Sequence, residues 1–481
     1  MKRKKKLIVN SVLVSALALS VLSPTAFAHD ALEHEGINKG ESEKFVFSAA
    51  DLENLAKPKM TGGKNLRFLH EAAGVQIEPK NGRQNNAADV YAHKGFAYLG
   101  THTANGANGG VRIFDLKDPS NPVEVAQFAH EIPHTWQEKV IVKTVNTPDF
   151  KGDLAVVSLQ QTSRNNANRP DSFGGVLLYD VTDPYNPVRL GFHKLEDRRI
   201  TGTHELYLTT QGNRALLLTS NPYADYYTGG ASRDFEILDV SNPAEPELLW
   251  GFDPRDLPEV PQSFNGYHWF APDGKTRPSF NHSVITDNNG HYAYVSYWDL
   301  GTIIFDIRDP ENPVYLGRTD YRADQKGSAH SAALARGGNV LIETREVSNP
   351  VGAGYESAYG YTRIFDISDK TNPQLLSEFK TDLTFDIPPT SVGRTTFAKT
   401  VHDPKVRGNT LYLSYYSGGV ISVDITDPAN PVEISRYTPE SADVWGVYVD
   451  RNYVLASDMG QGLKVLLKNN GNGNANGQQP K

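Results

Sequence analysis

The 481-residue sequence contains no cysteine. This absence excludes disulfide bonds, cysteine nucleophiles and thiolate metal ligands, so the fold must rest on its packed core and any metal site must use other ligands. The sequence also lacks a Gly-x-Ser-x-Gly elbow, a His-Glu-x-x-His motif and a glycine-rich phosphate loop before a helix. These absences disfavour an enzyme built on one local motif.

Long apolar stretches are absent beyond the N-terminus, so no later segment is expected to span a membrane. The first 28 residues combine a basic start, an apolar stretch from Leu7 to Leu22 and a small-x-small site at Ala26-Phe27-Ala28. This pattern predicts a signal peptide cleaved after Ala28, and therefore a secreted, extracellular protein. A retained membrane anchor is the alternative, but the apolar stretch is short and contains Asn10.

The charge balance is acidic. The formal net charge is −8, and removal of residues 1–28, which carry five basic and no acidic residues, changes it to −13. An acidic mature chain is a poor binder of nucleic acid or anionic membranes. Glycine, tyrosine and phenylalanine are common and helix signals are weak, which indicates an all-β protein.

A repeated segment organises the chain, and Val420 to Pro431 is one copy of it. In each copy an aliphatic or aromatic run leads into Asp, a second Asp or Asn stands three residues later, and Pro stands seven residues later. The run is typical of a strand, and the Asp-Pro part is typical of a tight turn, so we interpret these aspartates as turn formers rather than ligands. The six copies are Asp115…Pro122, Asp180…Pro187, Asp239…Pro246, Asp306…Pro313, Asp366…Pro373 and Asp424…Pro431.

The spacing of 58 to 67 residues between copies leaves room for four strands in each unit. Head-to-tail units of four strands predict a β-propeller. A seventh unit appears in part after Pro431, since three strand patterns follow and no further Asp-Pro turn does. We therefore predict seven blades, with six or eight as alternatives, and expect Asn65–Leu69 to complete the last blade.

The predicted organisation has four parts. Residues 1–28 form the signal peptide, 29–63 a flexible arm, 64–468 the propeller and 469–481 a disordered tail rich in glycine and asparagine. The units resemble LVIVD repeats, which occur in secreted and surface β-propellers of bacteria. This resemblance covers about residues 65–467 and implies a propeller in an extracellular setting, but it implies no particular reaction.

Histidine recurs just before the innermost strand of several units. His204, His282, His330 and His402 occupy this position, and a looser alignment places His134 there in the second unit. The innermost strands of a propeller surround its axis, so we expect these imidazoles to form a ring. Such a ring can hold copper, iron or zinc, with Glu205 and Asp403 as acceptors that orient the rings.

Two other interpretations of the histidines stay open. Their nitrogens can bond to the backbone of the neighbouring blade, which is a structural role, or they can bind an organic or anionic ligand. The long connections of the units fall on the histidine side and are rich in aromatic residues, which indicates a working face. The ligand-binding candidates on this face are Arg199, Arg277, Arg394, Trp298 and Tyr415.

Each of these candidates also has a purely structural interpretation. The aromatic residues either stack on a sugar or partner or pack the long connections together, and the arginines either fix an anion or form surface ion pairs. Two functions follow. The first is a secreted propeller, expected to be monomeric, that binds an extracellular glycan, peptide or protein through its loop-rich face. The second is a metal-dependent oxidoreductase or hydrolase. The sequence favours the first and leaves enzymatic activity open.

Overall fold

Each repeat folds into an antiparallel sheet in the computed structural model of the chain. In the six sheets that carry a complete repeat the strands run in sequence order from the inside of the molecule to its rim, so the apolar runs before the aspartates lie in the strand next to the outermost one. The structure describes residues 69–75, 87–101, 109–161, 169–195, 202–260, 264–270, 274, 276–322, 325, 327–346, 360–385, 400–451 and 453–468.

The described strands form seven sheets and one small hairpin. The chain begins with β1 (Leu69–Val75), and the first three sheets follow: β2 (Ala87–His93), β3 (Phe96–Thr101), β4 (Val111–Asp115) and β5 (Val123–Phe128) in the first; β6 (Thr135–Trp136), β7 (Val140–Asn146), β8 (Lys151–Gln161), β9 (Gly175–Asp180) and β10 (Val188–Lys194) in the second; and β11 (Glu205–Gln211), β12 (Arg214–Ser220), β13 (Phe235–Asp239) and β14 (Glu247–Gly251) in the third. The hairpin β15 (His268–Phe270) and β16 (Thr276–Pro278) precedes the fourth sheet, which contains β17 (Ser283–Thr286), β18 (Tyr292–Ser296), β19 (Thr302–Asp306) and β20 (Val314–Arg318). The last three sheets contain β21 (Ala329–Ala335), β22 (Val340–Arg345), β23 (Thr362–Asp366) and β24 (Gln374–Phe379) in the fifth; β25 (Pro404–Arg407), β26 (Thr410–Ser414), β27 (Val420–Asp424) and β28 (Val432–Tyr437) in the sixth; and β29 (Val444–Asp450), β30 (Tyr453–Asp458) and β31 (Gly462–Lys468) in the seventh.

The repeated aspartates form the turns between the third and fourth strands. The Asp424 carboxylate accepts a hydrogen bond from the backbone N–H of Thr426 at 2.8 Å, and Asp427 accepts one from Ala429 at 3.1 Å. The same pair of bonds recurs at Asp366 and Asp369. The predicted turn-forming role is therefore confirmed, because each carboxylate accepts a bond from the backbone N–H two residues later and so holds the turn.

Seven apolar clusters hold the sheets together, one at each junction between neighbouring sheets in the described part of the chain. The cluster at the last junction joins Leu99 and Phe114 of the first sheet to Leu455 and Val465 of the seventh. All four side chains are buried. The sheets therefore close into a ring, and the prediction of an all-β, seven-bladed propeller is confirmed.

The seventh sheet has the strand order β1, β31, β30, β29. Its outermost strand is thus the first strand of the described chain, which pairs antiparallel with β31 through Leu69 and Lys468. The predicted closing segment, Asn65–Leu69, lies outside the described residues except for Leu69, and that range stays a prediction. The signal peptide, the N-terminal arm and the C-terminal tail also lie outside the described residues.

The long connections join the outer end of one sheet to the next innermost strand, or the second strand of a sheet to its third. They contain the short helix α1 (Ala224–Thr228), the hairpin β15–β16 and two short 3₁₀ helices at Pro254–Asp256 and Asp382–Phe385, whereas a third 3₁₀ helix, Arg336–Gly338, lies in the short turn between β21 and β22. The helices of the described segments are all too short to cross a bilayer. These connections approach the axis from the side on which the innermost strands begin.

Candidate metal centre

Equivalent backbone hydrogen bonds place one residue of each blade near the propeller axis, on the side where the innermost strands begin. The backbone N–H groups of His204, His282 and His402 each donate to the last serine of the second strand of their own blade, at 2.9 Å. The structurally equivalent residues, which we call the hub ring, are Ala88, Glu138, His204, His282, His330, His402 and Trp445.

The hub ring corrects one residue of the sequence alignment. Lys139 pairs with Ser158 through the same backbone bond that joins Asp403 to Ser414, so the residue before Lys139 is the equivalent of His402. That residue is Glu138, and His134 lies at the start of the short strand β6 instead. The segment before β7 is longer than its counterparts because it contains β6, and this length shifted the alignment.

Hydroxyl groups tie the hub ring to the neighbouring blades. Thr344 Oγ1 donates to the backbone oxygen of His402 at 2.7 Å, and Ser414 Oγ donates to that of Trp445 at 2.8 Å. Ser414 Oγ also accepts the backbone N–H of Asp403 at 2.9 Å. Because each hydroxyl is buried and makes bonds in both directions, it fixes the spacing between one ring residue and the next.

Removal of one such hydroxyl is expected to cost stability. Ser414→Ala leaves the buried Asp403 N–H and Trp445 carbonyl without this partner, and we expect a loss of about 1–2 kcal/mol in the free energy of unfolding. Urea denaturation measures this change. Ser120→Ala is the control, since Ser120 is exposed and its loss is expected to change stability by less than about 0.5 kcal/mol. Equal values for the two variants would contradict the role assigned to the hydroxyl.

The four ring histidines lie next to one another in chain order. The centroids of their imidazoles are 4.7 Å apart for His204 and His282, 3.8 Å for His282 and His330, and 4.2 Å for His330 and His402. Each residue is at most 3% exposed. The four imidazoles thus form one continuous buried cluster rather than a set of separate surface groups.

The hydrogen-bond partners of two of these histidines assign their tautomers. His282 Nδ1 lies 3.1 Å from the backbone oxygen of His330, which can only accept, so Nδ1 carries the proton. His204 Nδ1 lies 2.9 Å from a carboxylate oxygen of Glu138 and 3.2 Å from Oε1 of Gln160, and it is likewise the donor. In the neutral rings both Nε2 atoms therefore carry lone pairs.

These two Nε2 atoms lie 3.1 Å apart. Two lone pairs at this distance repel each other unless a proton or another cation lies between them. Burial lowers the pKa of His204, which opposes a proton at this position. Two nitrogens bound to one metal ion at about 2.1 Å lie roughly 3.0–3.4 Å apart for angles between 90° and tetrahedral. The spacing of His204 and His282 is consistent with that of two ligands on one ion.

Glu346 adds a carboxylate to the cluster. One of its oxygens lies 3.4 Å from His330 Nε2, and the other accepts the hydroxyl proton of Tyr416. One ligand atom each from His282, His330 and Glu346 fall within 4.8 Å of one another, and all three residues are buried. Two imidazoles and one carboxylate form a donor set that suits first-row transition metals.

Glu346 was not among the residues singled out from the sequence. It follows the end of the second strand of its blade, two residues after Thr344, as Trp298 follows Ser296 and Tyr416 follows Ser414. These residues form a second layer next to the hub ring. The repeated Ser or Thr at the end of the second strand was the sequence signal that identifies this layer.

Charged side chains occupy the positions that directly follow the hub ring in the innermost strands. Lys139 Nζ is 2.7 Å from Asp89 and 3.0 Å from Glu205, and Lys405 forms an ion pair with Asp403. Burial raises the pKa of Glu205 to about 7, against the opposing effect of Lys139. Glu205 and Asp403 thus form ion pairs with lysines. The carboxylate that contacts His204 Nδ1, and so orients its ring, is that of Glu138 and not the predicted Glu205.

The other ligand-binding candidates are separated by the structure. Trp298 is buried beside the cluster, with its ring centroid 5.5 Å from that of His282. Arg277 is buried in β16, opposite Trp269. Tyr415 lies inside the apolar cluster between the fifth and sixth sheets, and its neighbour Tyr416 contacts His402 instead. Arg199 and Arg394 lie outside the described residues.

The fold and the cluster define a seven-bladed β-propeller with a histidine and glutamate group at its hub. The sequence model of the LVIVD repeat matches four segments, residues 226–253, 289–320, 360–381 and 399–439. The chain therefore contains LVIVD repeats, as the sequence predicts. Three of the matches cover the later strands of one blade, and the match over residues 399–439 spans all four strands of the sixth blade.

Two solved structures are similar to this chain at low sequence identity. The crystal structure of the computationally designed Ika8 protein is 11% identical, with a TM-score of 0.45, over 82% of this chain and 100% of that chain. Raptor from Chaetomium thermophilum is 12% identical, with a TM-score of 0.49, over 84% of this chain and 30% of that chain. The chain thus spans less than a third of the length of Raptor. No curated protein matches its sequence.

Proposed function

We propose that the hub binds one transition-metal ion, with His282, His330 and Glu346 as ligands and His204 beside them. The observation that carries this proposal is that one ligand atom each of His282, His330 and Glu346, all buried, lies within 4.8 Å of the other two. His204 extends this group, since its Nε2 lies 3.1 Å from that of His282. The Glu346 carboxylate, 3.4 Å from His330 Nε2, adds an oxygen ligand and negative charge that attracts a cation.

The surroundings of the cluster support metal binding over a purely structural role. The bond from His282 Nδ1 to the backbone of the next blade is the kind of contact that a structural histidine makes. It also sets the tautomer that directs Nε2 toward His204, as the second partners of metal-bound histidines do. Glu138 holds His204 in the same way. Glu138 and Glu346, at 1% and 0% exposure, place two carboxylates beside the buried imidazoles.

The donor set narrows the choice of metal. Imidazole suits copper, iron and zinc, whereas calcium and magnesium prefer sites made of oxygen ligands. The sequence has no cysteine, so thiolate ligands are excluded. With the signal peptide that residues 1–28 predict, we propose a secreted metalloprotein. The loop-rich face on the histidine side is then the route by which small molecules or a partner reach the centre.

A metal titration of the purified secreted protein tests this proposal. After dialysis against a chelator, titration with copper(II) is expected to show one ion bound per chain, and electron paramagnetic resonance is expected to show nitrogen ligands. Competition with zinc(II) and iron(II) then ranks the metals. The proposal fails if the chelated protein takes up none of the three ions, or if the bound copper shows oxygen ligands alone.

A further inference from the structure

A line of aromatic rings leads from the histidine cluster to the protein surface. Starting at His282, the centroid distances are 5.5 Å to Trp298, 4.8 Å from there to Phe280, and 6.2 Å from Phe280 to Tyr267. The last step, from Tyr267 to Tyr226, is 6.1 Å. Trp298, Phe280 and Tyr267 are buried, whereas Tyr226 is 46% exposed.

The line contains a second route near its outer end. Tyr223 lies 4.7 Å from Phe280 and 5.4 Å from Tyr267, again between ring centroids. Phe280 and Trp298 are stacked, with an angle of 22° between their planes. Every ring of the line is thus in van der Waals reach of the next, and two routes join Phe280 to the outer tyrosines.

Three separate segments of the chain converge to build this line. Trp298 follows β18 with a positive φ of 39°, Tyr267 and Phe280 flank the hairpin β15–β16, and Tyr226 lies on α1. Gly266 has a φ of 89°, and a Cβ atom at this position would lie 2.6 Å from the backbone nitrogen of Tyr226. The glycine therefore allows the contact between the hairpin connection and α1.

We propose that these rings carry single electrons between the hub and the surface, and that the metal of the hub is accordingly redox-active. This inference rests on the proposed metal site. The imidazole of His282 is both a ligand and the first ring of the line, so the metal is coupled directly to Trp298. Because the four ring histidines are at most 3% exposed, a bulky redox partner cannot reach the ion itself.

The electron balance of the transfer is simple. Copper(I) at the hub loses one electron and becomes copper(II), and an external one-electron acceptor at the surface gains that electron. Trp298 and the tyrosines are the oxidisable rings, and each is oxidised and reduced again in turn. Phe280 is not oxidised and provides contact between its neighbours. Any proton that an oxidised tyrosine releases returns on its reduction, so the net reaction moves no proton.

Conservative aromatic substitutions separate electron transfer from packing. Trp298→Phe and the double change Tyr223→Phe/Tyr267→Phe keep a ring at each position but remove an oxidisable one. The matched control is Trp250→Phe, because Trp250 belongs to an aromatic group with Phe235, Phe252 and Phe305 in the core between the third and fourth sheets. A purely structural effect is expected to be similar for Trp298→Phe and Trp250→Phe.

The test uses the full-length protein loaded with copper(I) and mixed with photogenerated tris(bipyridine)ruthenium(III), a one-electron oxidant strong enough to oxidise tyrosine and tryptophan rings. We expect Trp298→Phe and the double tyrosine variant each to slow the oxidation of copper by about tenfold or more, which corresponds to about 1.4 kcal/mol of activation free energy. The copper affinity of these variants and the rate of Trp250→Phe should match those of the unmodified protein. Radical signals of tryptophan or tyrosine after photo-oxidation provide a second readout.

The outcomes distinguish the two proposals. If the unmodified protein binds no copper, the metal site itself is wrong and this inference falls with it. If copper binds with nitrogen ligands but the aromatic variants oxidise at the unmodified rate, the metal site stands and the electron path is wrong. Slowing that is equal in Trp298→Phe and Trp250→Phe would also overturn the path, since packing would then explain both.

Discussion

Replacement of His282 and His330 together by alanine is expected to lower the affinity of the hub for copper(II) by at least about a thousandfold, or about 4 kcal/mol. The change removes two of the three residues whose ligand atoms lie within 4.8 Å of one another. Glu346 and His204 remain, and neither can complete a coordination shell alone. Calorimetric titration of the chelated protein measures the affinity.

His134→Ala is the matched control for this prediction. It also removes one imidazole from the chain, but the structure places His134 at β6, outside the hub ring. Its copper affinity is expected to equal that of the unmodified protein. Circular dichroism of both variants checks that the propeller is folded. Unchanged copper binding in the folded double variant would show that the ion binds elsewhere.

Glu343→Gln is expected to destabilise the propeller by about 3–5 kcal/mol, because it leaves a buried guanidinium without its counter-ion. Glu343 and Arg363 are at most 1% exposed and lie 2.6 Å apart. The same carboxylate accepts hydrogen bonds from the hydroxyls of Thr319 at 2.6 Å and Thr302 at 2.8 Å. Glu343 and Arg363 lie on neighbouring strands of the fifth blade, and the two threonines belong to the fourth, so the carboxylate links the blades that carry His330 and His282.

The control for this pair is a surface ion pair. Glu311 lies 3.3 Å from Arg214, and its side chain is 60% exposed. Glu311→Gln is expected to change the free energy of unfolding by less than about 1 kcal/mol. Urea denaturation at neutral pH measures both variants. A loss below about 1 kcal/mol for Glu343→Gln would show that the buried pair contributes no more than the exposed one.

The pH dependence of stability follows from the same carboxylate. Burial alone would raise the pKa of Glu343, but Arg363 and the hydroxyl donors outweigh it and hold the pKa below its ordinary value. The contribution of Glu343 to stability is therefore present above its unfolded pKa of about 4.3 and is lost as the pH falls through the lower folded value. The difference between the unmodified protein and Glu343→Gln should shrink in that acidic range.

Much of the fold was predictable because its signals are local. The run Val420 to Val423 alternates and ends at Asp424, and the turn that follows depends on side chains two residues from the backbone groups they bind. Strand, turn and strand were therefore readable in each copy. The blade number followed from counting the copies and the partial seventh unit.

The composition of the site was only partly predictable. His204, His282, His330 and His402 share one position in their blades, so the repeat itself indicated that they would meet. Glu346 lies in a second layer that holds different residue types in different blades, among them Trp298 and Tyr416. The Ser or Thr two positions earlier repeats and marks the layer, but the residue types within the layer do not repeat, so the sequence does not show which of them is a ligand. Tyr415 and Tyr416 show the same difficulty, since adjacent side chains point to opposite sides and only the coordinates show which contacts the hub.

The sequence by itself determined the repeating unit, the turns, the number of blades and the blade position that the histidines share, because these depend on backbone preferences and burial over a few neighbouring residues. The tertiary structure alone decided that Glu138 takes the place expected for His134 and that Glu346 joins His282 and His330. These residues are far apart in the chain, and they meet only because seven packed junctions curve the sheets around one axis.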